Sequence, residues 1–161
     1  MKRFALTIII AAAGAMLSPH AAHAMDEATK AAAATCQDPN TKPDDGIKAC
    51  TKVLESGKMG AKSTLAMYYC RGAFYTKSNN NKKADQDFAA ATKAYEDDPD
   101  KANWPVNIVE LAASSYSFRG QIAKQANDCV TAGSYFKKAA ETSREVSERT
   151  NYEKQAKDAC K

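Results

Sequence analysis

Histidine is almost missing from this chain: the two present, His20 and His23, both fall within the first 24 residues. Those residues read as a removable export signal, so the processed chain is expected to hold none. Without histidine there is no Ser-His-Asp or Cys-His nucleophile pair, and the usual general base near neutral pH is absent. Also lacking are a Cys-x-x-Cys pair, a His-Glu-x-x-His helix and a glycine-rich phosphate loop. An enzyme would have to work with carboxylates alone, as glycosidases do. The densest acidic group, Glu96-Asp97-Asp98, is explained as helix-terminal turn residues, and Asp97, Asp98 and Asp100 lack the full ligand spacing of a calcium loop. The sequence therefore predicts no catalytic residue, no metal and no cofactor.

Long apolar runs are equally scarce. The one candidate extends from Phe4 to Leu17, behind Lys2 and Arg3 and ahead of Ala22-His23-Ala24, the three parts of a secretory signal. It is shorter than the roughly 20 apolar residues that span a bilayer and stops at Pro19. Residues 1–24 are therefore read as a signal peptide, with a mature chain of one domain, 25–161, in the periplasm or secreted, and no stable membrane anchor after cleavage. Loss of Lys2 and Arg3 takes the 23 basic residues to 21 against 19 acidic ones. A balance of +2 with both signs interspersed describes solvated helix faces, and no nucleic-acid partner is expected.

Alternation of apolar and polar residues is missing too, so no strand is expected. Alanine-rich and lysine-rich segments broken by Pro, Gly and Asn predict an all-α chain of six to seven helices. Helix one runs from about Asp26 to Cys36 and ends at Asp38-Pro39-Asn40, helix two starts at Asp44 or Asp45 and ends at Gly57, and helix three covers Lys62 to Lys77. An asparagine in the turn Ser78–Asn81 caps helix four, from Lys82 to about Glu96. Asn103-Trp104-Pro105 opens helix five, which reaches Gln125, and helix six spans Cys129 to Thr142. In the tail, Thr150 with Glu153 has capping-box spacing, pointing to a fresh helix over about 147–160.

What is present in abundance is internal repetition. Tyr68, Arg71, Gly72, Ala84, Phe88 and Ala91 recur 48 residues later as Tyr116, Arg119, Gly120, Ala132, Phe136 and Ala139. Steps of three and four place these residues on one helical face, small ones against large ones, as paired helices require. Both arginines are expected to hydrogen-bond between helices. With Tyr75, the first unit resembles the tetratricopeptide repeat family at its aromatic, glycine, alanine, aromatic and alanine positions. The second has Ala123 where another aromatic belongs, and the phrase Ala132 to Glu141 looks equally like Sel1-type repeats. Gly46, Cys50 and Val53 suggest a degenerate first unit. The units then fall at roughly 26–57, 62–98 and 103–142, a short, irregular, disulfide-braced array of antiparallel helix pairs; the 48-residue period exceeds the family's 34. An unrelated helical bundle is the alternative.

Five cysteines sit beyond the signal, where an oxidising compartment allows disulfides. Cys36 and Cys50 lie symmetrically about Pro43, so an antiparallel hairpin of helices one and two would bring them within bonding range. Cys129 and Cys160 are symmetric about Arg144 and Glu145 and pair only if the tail folds back. Should the tail instead continue helix six, about 46 Å would part them. Cys70 is left as a free thiol, packed and inert on helix three.

The family resemblance implies a concave groove lined by the first helix of each pair, here Tyr69, Ala73, Thr76 and Lys77, then Ser117, Gln121, Lys124 and Gln125. These are expected groove positions, and plain solvent-facing residues are the other reading. Trp104 is either an exposed binding anchor or a staple at the start of helix five. The function expected is an exported, non-enzymatic protein-interaction module, scaffold or adaptor, with a protein or peptide partner in the cell envelope. The alternative is a small disulfide-braced helical carrier or inhibitor.

Overall fold

A computed structural model describes residues 25–159; the expected signal at 1–24 and Cys160 lie outside it. Among the described residues there are seven α-helices and no strand: α1 (Glu27–Gln37), α2 (Pro43–Glu55), α3 (Ala61–Lys77), α4 (Asn81–Glu96), α5 (Val106–Gln125), α6 (Cys129–Thr142) and α7 (Val146–Lys157), with one 3-10 turn at Lys101–Asn103. None is long and apolar enough to cross a membrane. Each helix packs on its neighbours in sequence, and α3 also touches both α1 and α5. The core is accordingly a string of small clusters, from Cys36, Cys50, Val53 and Phe74 at one end to Ala132, Phe136 and Ala159 at the other.

The breaks follow from local chemistry. Asp26 caps α1 by accepting from the Thr29 N–H at 2.7 Å, and Pro43 opens α2, where its missing N–H costs nothing. Gly57 ends that helix at φ +64°. The turns leaving α3 and α5 are copies of each other. Asn79 and Asn127 take left-handed φ of 55° and 59°, a region asparagine tolerates better than most residues. The next residue closes the helix, with Asn80 N–H donating to the Tyr75 carbonyl and Asp128 N–H to the Ala123 carbonyl, both at 2.9 Å. The same two residues then cap the following helix: Asn80 accepts from the Lys83 N–H and Asp128 from the Thr131 N–H.

The repeated residues pack alike. Gly72 faces the Phe88 ring and Gly120 the Phe136 ring so closely that a Cβ on either glycine would sit 2.9 and 2.8 Å from a ring carbon. In the first pair the equivalent position on α2 is Cys50, and a disulfide to Cys36, Cα–Cα 4.9 Å, joins the helices instead. Arg71 and Arg119 bridge helices as expected. Arg71 donates to both Asp87 oxygens at 2.7 and 2.8 Å and to Thr51 Oγ1 at 3.0 Å. Arg119 reaches the Tyr135 hydroxyl at 2.6 Å and Asp85 at 2.9 Å.

The tail folds back. Helix α7 packs on α6, and it starts at Val146, one residue before the expected 147, with Thr150 inside the helix and Glu145 at its N-cap. The reason is Glu110 on α5. Its carboxylate accepts from the Arg144 N–H at 2.7 Å, the Glu145 N–H at 3.2 Å and the Ser143 hydroxyl at 2.8 Å, satisfying the chain at the bend. Arg144 in turn donates to the Trp104, Lys101 and Ala102 carbonyls. Trp104 is 2% exposed, edge-on to Tyr95 at 5.5 Å. It is therefore a buried staple, and the exposed-anchor reading is withdrawn.

Candidate functional site

Three of the eight expected groove residues meet in one cleft. Tyr69 from α3 and Ser117 and Gln121 from α5 line it together with Ser114, Phe118 and, across from them, Tyr152 of α7; its volume is about 270 Å³. Its wall is aromatic. The Phe118 ring stacks on the buried Phe88 ring at 4.8 Å between centroids, and Tyr69 leans on both at 6.0 and 6.2 Å. The opposite wall is amide and hydroxyl: Asn151 and Gln155 sit either side of Tyr152 on α7. The Ser114 hydroxyl lies 3.4 Å from the Tyr152 hydroxyl.

Electrostatically the cleft favours neutral phenols. Burial pushes the Tyr69 hydroxyl above its ordinary pKa, with smaller contributions from Cys70 and Tyr152. Burial likewise raises Tyr152, and the charges of Glu148 and Glu110 add to it against the hydrogen bond with Ser114. Both hydroxyls thus stay protonated, able to donate and accept. No group of three or more His, Cys, Asp and Glu side chains is arranged to hold a metal among the described residues.

The remaining expected positions are placed differently. Lys124 joins Gln121 in an adjoining cleft of about 340 Å³, where its ammonium donates to the Asp158 carbonyl at 2.8 Å. Lys77 reaches back to the Pro39 carbonyl at 2.8 Å, and Gln125 accepts from the Asn81 side chain at 2.8 Å. Thr76 bonds to the Gly72 carbonyl within its own helix, and Ala73 is half-buried. Cys129 is half-buried without a disulfide partner among the described residues, as is Cys70, whose thiol burial raises. The α7 residues of the cleft escaped the sequence reading, because only the Glu110 bend folds that helix across α5.

A further hollow, of about 810 Å³, lies between α6 and α7 over Gly133, Ala140 and Ala156. None of the expected groove residues reaches it. The comparisons with known proteins add no relative: no family model, no curated protein and no solved structure matches this chain.

Proposed function

We propose that this chain is an exported, non-enzymatic interaction module of tetratricopeptide-repeat type, which holds a protein or peptide of the cell envelope against the α3–α5–α7 face. One observation carries the reading. Tyr69, Ser117 and Gln121, separated by up to 52 positions in sequence, converge on a single aromatic and amide-lined cleft. Such a surface suits a polypeptide segment, whose backbone needs neutral donors and acceptors and whose side chains need ring contacts. The secretory pattern at Lys2 to Ala24 and the Cys36–Cys50 disulfide are compatible with the periplasm or the exterior.

Proximity cross-linking in the native cell envelope tests it, comparing the wild-type chain with Gln121→Trp, which fills the cleft from an exposed position, and with Tyr69→Ala. A specific protein captured by the wild type and lost with both variants is the expected result, provided their thermal melting stays cooperative. A partner unaffected by either variant places the site elsewhere. No partner at all, with a small molecule co-purifying in native mass spectrometry, replaces this reading with that of a carrier.

A further inference from the structure

The α3–α5–α7 cleft has a sign. Of the nine side chains lining it, one is charged, Glu148 in the first turn of α7. No Lys or Arg lies within ion-pair distance of Glu148 among the described residues. Of the nearby basic groups, Arg149 donates to the Ser143 carbonyl at 3.0 Å and Lys124 to the Asp158 carbonyl at 2.8 Å, and Lys154 lines the adjoining cleft with Lys124. Glu110, the other carboxylate whose charge reaches Tyr152, is held by backbone N–H groups at the bend and carries no counter-cation. With one carboxylate in its lining, a second within electrostatic reach of Tyr152 and no cation among its nine lining residues, the cleft disfavours phosphate and carboxylate ligands.

We infer that this cleft takes one arginine side chain from an extended segment of the partner, its guanidinium against Glu148 and on the half-buried Tyr69 ring. The inference rests on the interaction-module reading and names the residue recognised. Guanidinium fits on three counts. It stacks on aromatic faces. Its planar fork of donors matches a carboxylate together with hydroxyl and amide oxygens, here those of Ser114, Ser117 and Gln121. Its size also fits, since about 270 Å³ falls below the roughly 300–1,000 Å³ of a small-molecule pocket and suits a single long side chain.

The test uses the processed chain with its disulfide intact and three capped pentapeptides, Gly-Ser-X-Ser-Gly, in which X is arginine, its uncharged isostere citrulline, or norleucine. Binding is followed by NMR through the side-chain amides of Gln121, Asn151 and Gln155. The arginine peptide should shift those amides saturably, and citrulline and norleucine should bind at least tenfold more weakly. Glu148→Gln, an exposed substitution, should erase the preference for arginine over citrulline while the rest of the spectrum is unchanged. Equal binding of arginine and citrulline, shifts confined to other helices, or no shift with any peptide overturns the inference. If arginine loses its advantage but the cross-linked partner still depends on Gln121, the interaction reading stands without it. Arginine binding with no cross-linked partner has the opposite meaning.

Discussion

Replacing a helical glycine by alanine ordinarily stabilises a helix by about 1 kcal/mol, and in this array the sign of that change should depend on which glycine is replaced. At Gly120 an added Cβ would lie 2.8, 2.9 and 3.0 Å from three carbons of the Phe136 ring. Real Cβ atoms do not approach so closely, and Phe136 is 2% exposed between α5 and α6. Overpacking of this kind costs about 1–3 kcal/mol. Set against the helix gain, Gly120→Ala is expected to destabilise by up to about 2 kcal/mol. At Gly133, on α6, the nearest atoms to a new Cβ are the Ala156 carbonyl at 3.7 Å and the Ala159 Cβ at 3.8 Å, ordinary contact distances. Gly133→Ala should keep the helix gain of about 1 kcal/mol. For a domain of this length each kcal/mol moves the melting midpoint by roughly 4 °C. Gly133→Ala should therefore melt above the wild type and Gly120→Ala at or below it, the two separated by about 4–12 °C. Thermal and urea denaturation followed by circular dichroism, with an unchanged urea slope, is the assay. A rise with both variants would mean that the Phe136 ring yields freely, and the close-packing account of the repeated glycines would fail.

Asp87→Ala strips the buried carboxylate from Arg71 and leaves a half-buried guanidinium with Thr51 alone; a loss of about 3 kcal/mol is expected by urea denaturation. Reducing the Cys36–Cys50 bond, or Cys36→Ser with Cys50→Ser, frees a loop with a sequence separation of 14 and should cost about 3 kcal/mol, with hydrogen exchange rising first in α1 and α2. Peptide mapping of the unreduced protein should recover that pair, and Cys129 joined to Cys160. Tyr69, Tyr116 and Tyr152 have hydroxyls raised above the ordinary value near 10. Burial is the first cause in each, reinforced at Tyr116 by its hydrogen bond to Glu96. A raised pKa means that the neutral phenol is favoured by folding, so this contribution is complete below pH 10 and is lost at higher pH. Alkaline absorbance titration should find these three ionising together with unfolding; free titration near pH 10 would refute it.

Helix boundaries were legible because single residues dictate them. Pro43, Gly57 and the Asn79–Asn80 and Asn127–Asp128 turns stop and start the chain wherever it is read, and the 48-residue recurrence placed Gly72 against Phe88 and Gly120 against Phe136. The first disulfide followed from symmetry about one proline. The third wall of the cleft was hidden because it depends on a carboxylate 33 or more positions away. Nothing local in Ser143-Arg144-Glu145 announces a bend; Glu110 and Arg144 make it through contacts spanning two helices and the Trp104 turn. Of the expected groove positions, Lys77, Lys124 and Gln125 lie outside the cleft because the reach of a long side chain selects carbonyl or amide partners at loops and helix ends.

The twin turns after α3 and α5 also have a genealogical consequence. Because Asn79 and Asn127 share a backbone conformation and are followed by residues that close one helix and cap the next, the stretch between them begins and ends on the same joint. A duplication or deletion of that length of coding sequence would leave every junction in the chain already solved. Arrays of this kind can therefore lengthen or shorten by whole units in one step, while the flanking pairs, latched by a disulfide at one end and by the Glu110 bend at the other, are kept as fixed ends.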